Sequence, residues 1–164
     1  MSRCRVRTHR MGGMTPAVFA VSLTACVAIF GAEDLELTLD VSGTTVRPNA
    51  PITVTVTATN RSDEPIVWGQ GSSSCQLDAV VAVGTDLFRI DIRACTEDLA
   101  PQGLDPDETR VEEWSWNGEI LVQGALDTLP PGDYRIWATA GSLARSNLKT
   151  VAFEPASAAT VQRP

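Results

Sequence analysis

Histidine is nearly missing from this chain. The single one, His9, sits in the basic start of the sequence, so everything beyond it has none. Without an imidazole there is no Ser/His/Asp triad, no Cys/His pair and no histidine-bearing zinc site in that remainder. Lysine is equally scarce. Lys149 is the only one, and arginine carries the rest of the positive charge, which reads as a compositional habit and not as a binding patch. No helical periodicity appears after Glu33. Carboxylates are plentiful, yet nothing in their spacing selects an acid and base pair. Asp105, Asp107 and Glu108, with Glu112 and Glu113 beyond, could offer oxygens to calcium, but no loop has EF-hand spacing, and they read as solvated loop and strand edge. The chain therefore reads as a non-enzyme, with no metal, no cofactor and no catalytic residue expected.

What is present begins with an export layout. Arg3, Arg5, Arg7 and Arg10 form a basic start, followed by an apolar run from Met14 to Ala32 that only Thr15, Ser22 and Thr24 interrupt. Within it, Leu23-Thr24-Ala25-Cys26 resembles a bacterial lipobox, in which a peptidase cuts before the cysteine and Cys26 is lipidated. Two other readings stand beside it. The run is about nineteen residues, close to the roughly 20 that span a bilayer as an uncleaved anchor. Alternatively, an ordinary signal peptidase cuts near Gly31 or Ala32. All three place the following domain in the cell envelope or periplasm, with any membrane contact made through residues 1–32 only.

The chain holds 13 basic and 20 acidic residues, and four of the arginines precede Glu33, so the remainder carries nine against twenty, a net charge of −11. Nucleic acid is an unsuitable partner for such a surface. Cys75 and Cys95 are the two cysteines left to the exported part. A pair in an oxidising compartment points to a disulfide, worth about 3 kcal/mol for a closed loop of about twenty residues.

Alternation then carries the fold. Leu35, Leu37, Leu39 and Val41 alternate with Glu36, Thr38 and Asp40, the pattern of a half-buried strand. Ile52, Val54, Val56 and Ala58 do the same against four threonines. Asn60-Arg61-Ser62-Asp63 reads as a turn; it also fits a glycosylation sequon, a three-residue match that the turn chemistry explains better. Pro65 to Gly69 is a short strand with Trp68, and Gly69 to Ser74 a flexible loop leading to Cys75. Leu77–Val83 and Leu87–Arg93 form a hairpin about Gly84-Thr85-Asp86, with Phe88 facing inward. Thr96 to Asp107 reads as a long connection. A strand from Glu108 to Trp116 places Glu112, Trp114 and Trp116 on one side, and Asn117-Gly118 turns the chain.

Leu129–Ala140, LPPGDYRIWATA, is a stiff turn that feeds a central strand. Pro130 and Pro131 fix φ, Gly132 supplies a positive φ, and Tyr134 reads as a buried anchor in the manner of a tyrosine corner. A last strand covers Asn147–Phe153, and residues 156–164 read as a frayed tail. About eight short strands over residues 33–155 imply an all-β, immunoglobulin-like β-sandwich. The four tryptophans offer either core or a binding platform, and core is preferred where other aromatics are few.

Several of these segments together resemble the BsuPI-type intracellular proteinase inhibitor domain. They are the Thr/Val strand ending in Asn60-Arg61-Ser62-Asp63-Glu64-Pro65, Cys75-Gln76-Leu77-Asp78 before a Val-rich strand, Leu104-Asp105-Pro106-Asp107-Glu108, Trp116-Asn117-Gly118, and Leu129-Pro130-Pro131-Gly132-Asp133-Tyr134. The resemblance covers about Leu35 to Thr139 and implies an immunoglobulin-like sandwich that binds a protein, a protease in the first instance. Asp107 stands where that family typically has glycine, a position Asp fills by tolerating left-handed geometry. The family name refers to an inhibitor inside the cell, whereas this chain reads as exported. No family site residue carries over. The candidate binding loops are instead those beside the cysteines: Gly69, Gln70, Gly71, Ser72, Ser73 and Ser74 before Cys75, and Thr96, Glu97 and Asp98 onward to Gly103 after Cys95. The alternative is an immunoglobulin-like lipoprotein domain with a structural or interaction role and no inhibitory activity.

Overall fold

The computed structural model describes residues Asp34–Pro155. Cys26, the other readings placed on residues 1–32 and the tail at 156–164 lie outside them. Thirteen strands make up the described part. The first four are β1 (Leu35–Val41), β2 (Thr45–Val46), β3 (Ile52–Asn60) and β4 (Ile66–Gly71). Then come β5 (Asp78–Val83), β6 (Asp86–Arg89), β7 (Ala100–Leu104) and β8 (Thr109–Trp116). The chain finishes with β9 (Glu119–Val122), β10 (Ala125–Thr128), β11 (Gly132–Ala140), β12 (Ala144–Arg145) and β13 (Lys149–Phe153).

Two sheets face each other. One has the order β1-β3-β8; the other runs β10-β9-β6-β5-β11-β13-β2, with β12 added on β11. The period-2 pattern of each inner strand turns one apolar row toward the gap. Leu35, Leu37 and Leu39, then Ile52, Val54, Val56 and Ala58, then Trp114 and Trp116 come from the smaller sheet. Ala79, Val81, Ile136, Ala138, Val151 and Phe153 meet them from the larger one. Alternating strands of these kinds were the legible part, and their registers hold without slippage, Leu39 opposite Val56 and Val54 opposite Trp114.

The topology is that of an immunoglobulin-like β-sandwich. The short strand β2 leaves the sheet of β1 and pairs in parallel with the last strand, Phe153 opposite Val46, while every other ladder between named strands is antiparallel. At the start of β11 the Tyr134 hydroxyl donates to the Pro130 carbonyl at 2.7 Å, the tyrosine corner of this architecture. The ring is half-buried rather than buried. Gly132 has φ 158°, close to fully extended, so it opens the strand instead of closing the turn. Asp107 does adopt the left-handed conformation, with φ 59°.

Several expectations need correction. Gly69, Gln70 and Gly71 are strand, not flexible loop: they close the ladder of β4 with β7, Gly71 opposite Ala100. The Thr96 to Asp107 connection contains β7 itself. Its Pro101 and Gly103 read as breakers, but β7 pairs on one side only, where a missing N–H is tolerated. A side chain at Gly103 would run into the Ile66 carbonyl oxygen across the ladder. The β9–β10 hairpin escaped notice because its two-residue turn is Gln123-Gly124. Both take positive φ, 50° and 86°, the geometry usually announced by Asn-Gly. The strand expected over Leu87–Arg93 ends at Arg89, with one further bond from the Ile90 N–H to the Ala79 carbonyl.

Candidate functional site

Cys75 and Cys95 are joined, with Cα atoms 5.7 Å apart. The bridge fastens the loop of residues 72–77 to the loop of residues 90–99, at the end of the β4–β7 pair where Gly71 faces Ala100. Hydroxyl groups extend the tie. The Thr96 hydroxyl lies 2.8 Å from that of Ser72 and 3.3 Å from that of Ser74, and the Thr96 N–H donates to Ser74 Oγ at 2.9 Å. The Asp98 carboxylate accepts from the Thr96 hydroxyl and, at 3.1 Å, from the Ser73 N–H. The Thr96 bond first, and the Ser73 bonds after it, lower the Asp98 pKa from its ordinary 3.8 to about 2. Of the residues named from sequence, Ser72, Ser73, Ser74, Thr96 and Asp98 are thus brought together. Glu97 forms an exposed bend between them, and Gly69 and Gln70 stay in the strand.

Below the bridge lies a brace that alternation concealed. Alternation about an inward Phe88 puts Arg89, Asp91 and Arg93 on the outer face, but the Asp91 carboxylate is wholly buried. Arg93 grips it with both ends of its fork, Nε at 2.6 Å and Nη2 at 2.6 Å. Arg93 also reaches Glu112 of β8 at 2.8 Å and the Leu77 carbonyl at 3.1 Å, and its guanidinium lies 4.5 Å from the Trp114 ring. Glu112 in turn accepts the Gln76 N–H at 2.9 Å. Partial burial works against the guanidinium charge, but the bonds to Asp91 and then Glu112 outweigh it and raise the Arg93 pKa. The residue two before Cys95 and the residue after Cys75 are therefore fixed to the same carboxylate of β8. The cluster lies where the chain departs from β5, just beyond the Ile90 N–H bond to the Ala79 carbonyl at 3.0 Å.

A cavity of about 320 Å³ opens beside the bridge, lined by Gln70, Ser72, Cys75, Asp78, Arg89 and Gln102 among others. Arg89 pairs with Asp78 at 2.6 Å across it. Burial pushes the Asp78 carboxyl up more than Arg89 draws it down. The site offers hydroxyls, a carboxylate and backbone groups at the protein surface.

Other sequence readings are placed elsewhere. Asn60 is fully buried, so the sequon side chain is enclosed in the folded protein. Its Oδ1 accepts from the Ser62 N–H at 2.9 Å and the Ser62 hydroxyl at 2.7 Å. Its Nδ2 donates toward the carbonyls of Glu64 at 2.8 Å and of Leu104 and Asp105, both at 3.2 Å. The tryptophans form no shared platform: Trp114 and Trp116 are core, the Trp68 N–H donates to the Gln76 carbonyl, and Trp137 lies under Arg145 at 3.8 Å. The acidic run is dispersed, with Glu108 turned onto the Asp105 N–H, Glu112 onto Arg93 and Glu113 onto Thr55. Among the described residues no group of three or more His, Cys, Asp or Glu side chains is placed to hold a metal ion.

No family model matches the chain, and no curated protein does. Solved structures give partial likenesses. A β-glucosidase from Erythrobacter marinus is 16% identical with a TM-score of 0.44, covering 73% of this chain and 15% of its own. The CARDB domain of a Pyrococcus furiosus protein is 17% identical at a TM-score of 0.40, covering 73% of this chain and 94% of its own. An alkylpurine DNA glycosylase from Pseudomonas fluorescens is 11% identical at 0.45, covering 74% of this chain and 30% of its own. The chain thus spans under a third of the length of the glucosidase and the glycosylase. At these identities and scores the likenesses say nothing of activity or ligand.

Proposed function

We propose that this protein is a non-enzymatic binding module of the cell envelope, resembling a BsuPI-type proteinase inhibitor domain, which meets a protein partner with the two loops held by Cys75–Cys95. The observation that carries the reading is the double fastening of those loops, by the bridge and by the Ser72/Ser74/Thr96/Asp98 bonds. A loop already ordered before binding loses less conformational entropy in the complex, which is how a short surface segment becomes a tight ligand. A protease is the first partner to consider, because resistance to cutting requires such rigidity.

Export supports the same reading. A disulfide persists in oxidising compartments, and the basic start, the apolar run and Leu23–Cys26 supply a route out of the cytoplasm, with Cys26 as the lipidated residue or the run as an anchor. The test is direct: the purified protein slows a subtilisin-like protease at stoichiometric amounts, and digestion at an undiminished rate removes the inhibitor reading.

A second reading is a structural or interaction domain with no inhibitory role. It is favoured by β10, an edge strand whose four residues are all exposed, with Leu126 paired to Leu121 and both facing solvent. Survival of that reading alone is the outcome if the protease assay fails.

A further inference from the structure

We infer that Leu99 is the side chain this module presents to the specificity pocket of its partner, a serine protease selective for large apolar residues. The inference rests on the inhibitor reading above and names its contact point. Leu99 is 77% exposed, the most exposed large apolar side chain of the described residues. It ends a wholly exposed run from Ala94 whose other members are small, polar or acidic. At that exposure the side chain packs against little in its own chain, and a partner's pocket that enclosed it would gain most of its apolar area.

Both flanks of Leu99 are held. On one side the Asp98 carboxylate is tied to the Thr96 hydroxyl and the Ser73 N–H, and Cys95 is bridged four residues upstream. On the other, Ala100 begins β7 opposite Gly71, and Pro101 lies opposite Gln70. Attack of a protease serine on the Leu99 carbonyl would form an acyl ester and release the Ala100 amine, the serine proton passing through the enzyme's base to that amine. The β4–β7 ladder keeps the amine in place. It then attacks the ester, re-forms the amide and returns the proton to the serine, so the cut is undone. The residues from Ala94 to Pro101 contain no lysine or arginine, which sets the partner's pocket as apolar and not acidic.

The experiment measures inhibition constants of the full chain for subtilisin, chymotrypsin and trypsin, with Leu99→Ala and Leu99→Arg variants of matched melting temperature. The expected result is inhibition of one or both apolar-selective enzymes, weakened about 100-fold by Leu99→Ala, and transferred to trypsin by Leu99→Arg. Slow cleavage at the Leu99–Ala100 bond alone, read by mass, accompanies it. Wild-type inhibition that neither variant alters overturns the role of Leu99 while leaving the module an inhibitor through another surface. Wild-type inhibition of trypsin only also overturns it, and absence of any inhibition overturns both readings together.

Discussion

At one end of the β4–β7 pair, where Ile66 faces Leu104, two turns are joined by the buried side chain of Asn60; at the other, where Gly71 faces Ala100, two loops are joined by a disulfide and exposed hydroxyls. Both joints tie segments that are distant in sequence. They differ in solvent. Asn60 is fully buried and its amide donates to the enclosed Leu104 carbonyl, so its loss leaves a buried polar group short of a partner. Around Thr96 every hydrogen bond can be replaced by water, and only the covalent bridge cannot. A joint of the first kind maintains a fold. The second holds a solvent-exposed surface in shape.

The largest effect should therefore follow from breaking the Asn60 joint. Asn60→Ala removes the acceptor of Ser62 and the donor shared by Glu64, Leu104 and Asp105, and is expected to cost about 3 kcal/mol. For a domain of this size that lowers the melting temperature by roughly 12 °C. Thermal unfolding followed by circular dichroism measures it. A drop of only a degree or two would mean that water satisfies this end as readily as the other, and the contrast would disappear.

Opening the disulfide is the next step down. Replacing Cys75 and Cys95 together by alanine is expected to cost about 2 to 3 kcal/mol through greater freedom of the unfolded chain. The native structure should change locally. Because Arg93 still holds Asp91 and Glu112, and Glu112 still holds the Gln76 N–H, slowed amide exchange of Asn60, whose N–H donates to the Glu108 carbonyl, should persist while that of Ser73 and Thr96 is lost. Loss of protection at both ends would show that the bridge supports the whole pair.

The two ends also differ in how far residues announce them. Turn chemistry in Asn60-Arg61-Ser62-Asp63 and the Leu-Asp-Pro-Asp run marked the first, because Asn and Asp side chains bond nearby backbone whatever surrounds them. Asp107 fills its left-handed position as that chemistry allows. That Asn60 also reaches across to Leu104 and Asp105 was not visible, since a contact over forty residues leaves no local trace. At the other end the cysteines marked the loops, but the strand beneath them stayed hidden: Gly69–Gly71 and Pro101–Gly103 look like loop because their ladder is an edge pair that tolerates glycine and proline. Asp91 was the hardest case. Alternation assigns it to solvent, and the two-pronged bond from Arg93, with Arg89 nearby at 3.7 Å, is what offsets its burial. Strands β1, β3, β8 and β11 were plain because one face of each is core.

The smallest effect tests the exposed joint alone. The Asp98 carboxyl titrates at about 2 in the folded protein against an ordinary 3.8, so its bonds to Thr96 and Ser73 favour the folded loop fully above the ordinary value. That advantage declines as the pH falls through 3.8 and is gone below about 2. Full exposure makes the contribution to global stability too small to follow by melting. The side-chain carboxyl resonance of Asp98 and the amide shift of Ser73 should report it instead, moving together with a midpoint near 2. In a Thr96→Val variant the main cause is removed, and the midpoint should return toward the ordinary range while the melting temperature stays within a degree or two. An unchanged midpoint in that variant would show that Ser73 holds the carboxylate without help. The carboxylate's tie between the two loops would then rest on the Ser73 N–H alone, beside the disulfide, and the Thr96 hydroxyl would drop out of the brace upstream of Leu99.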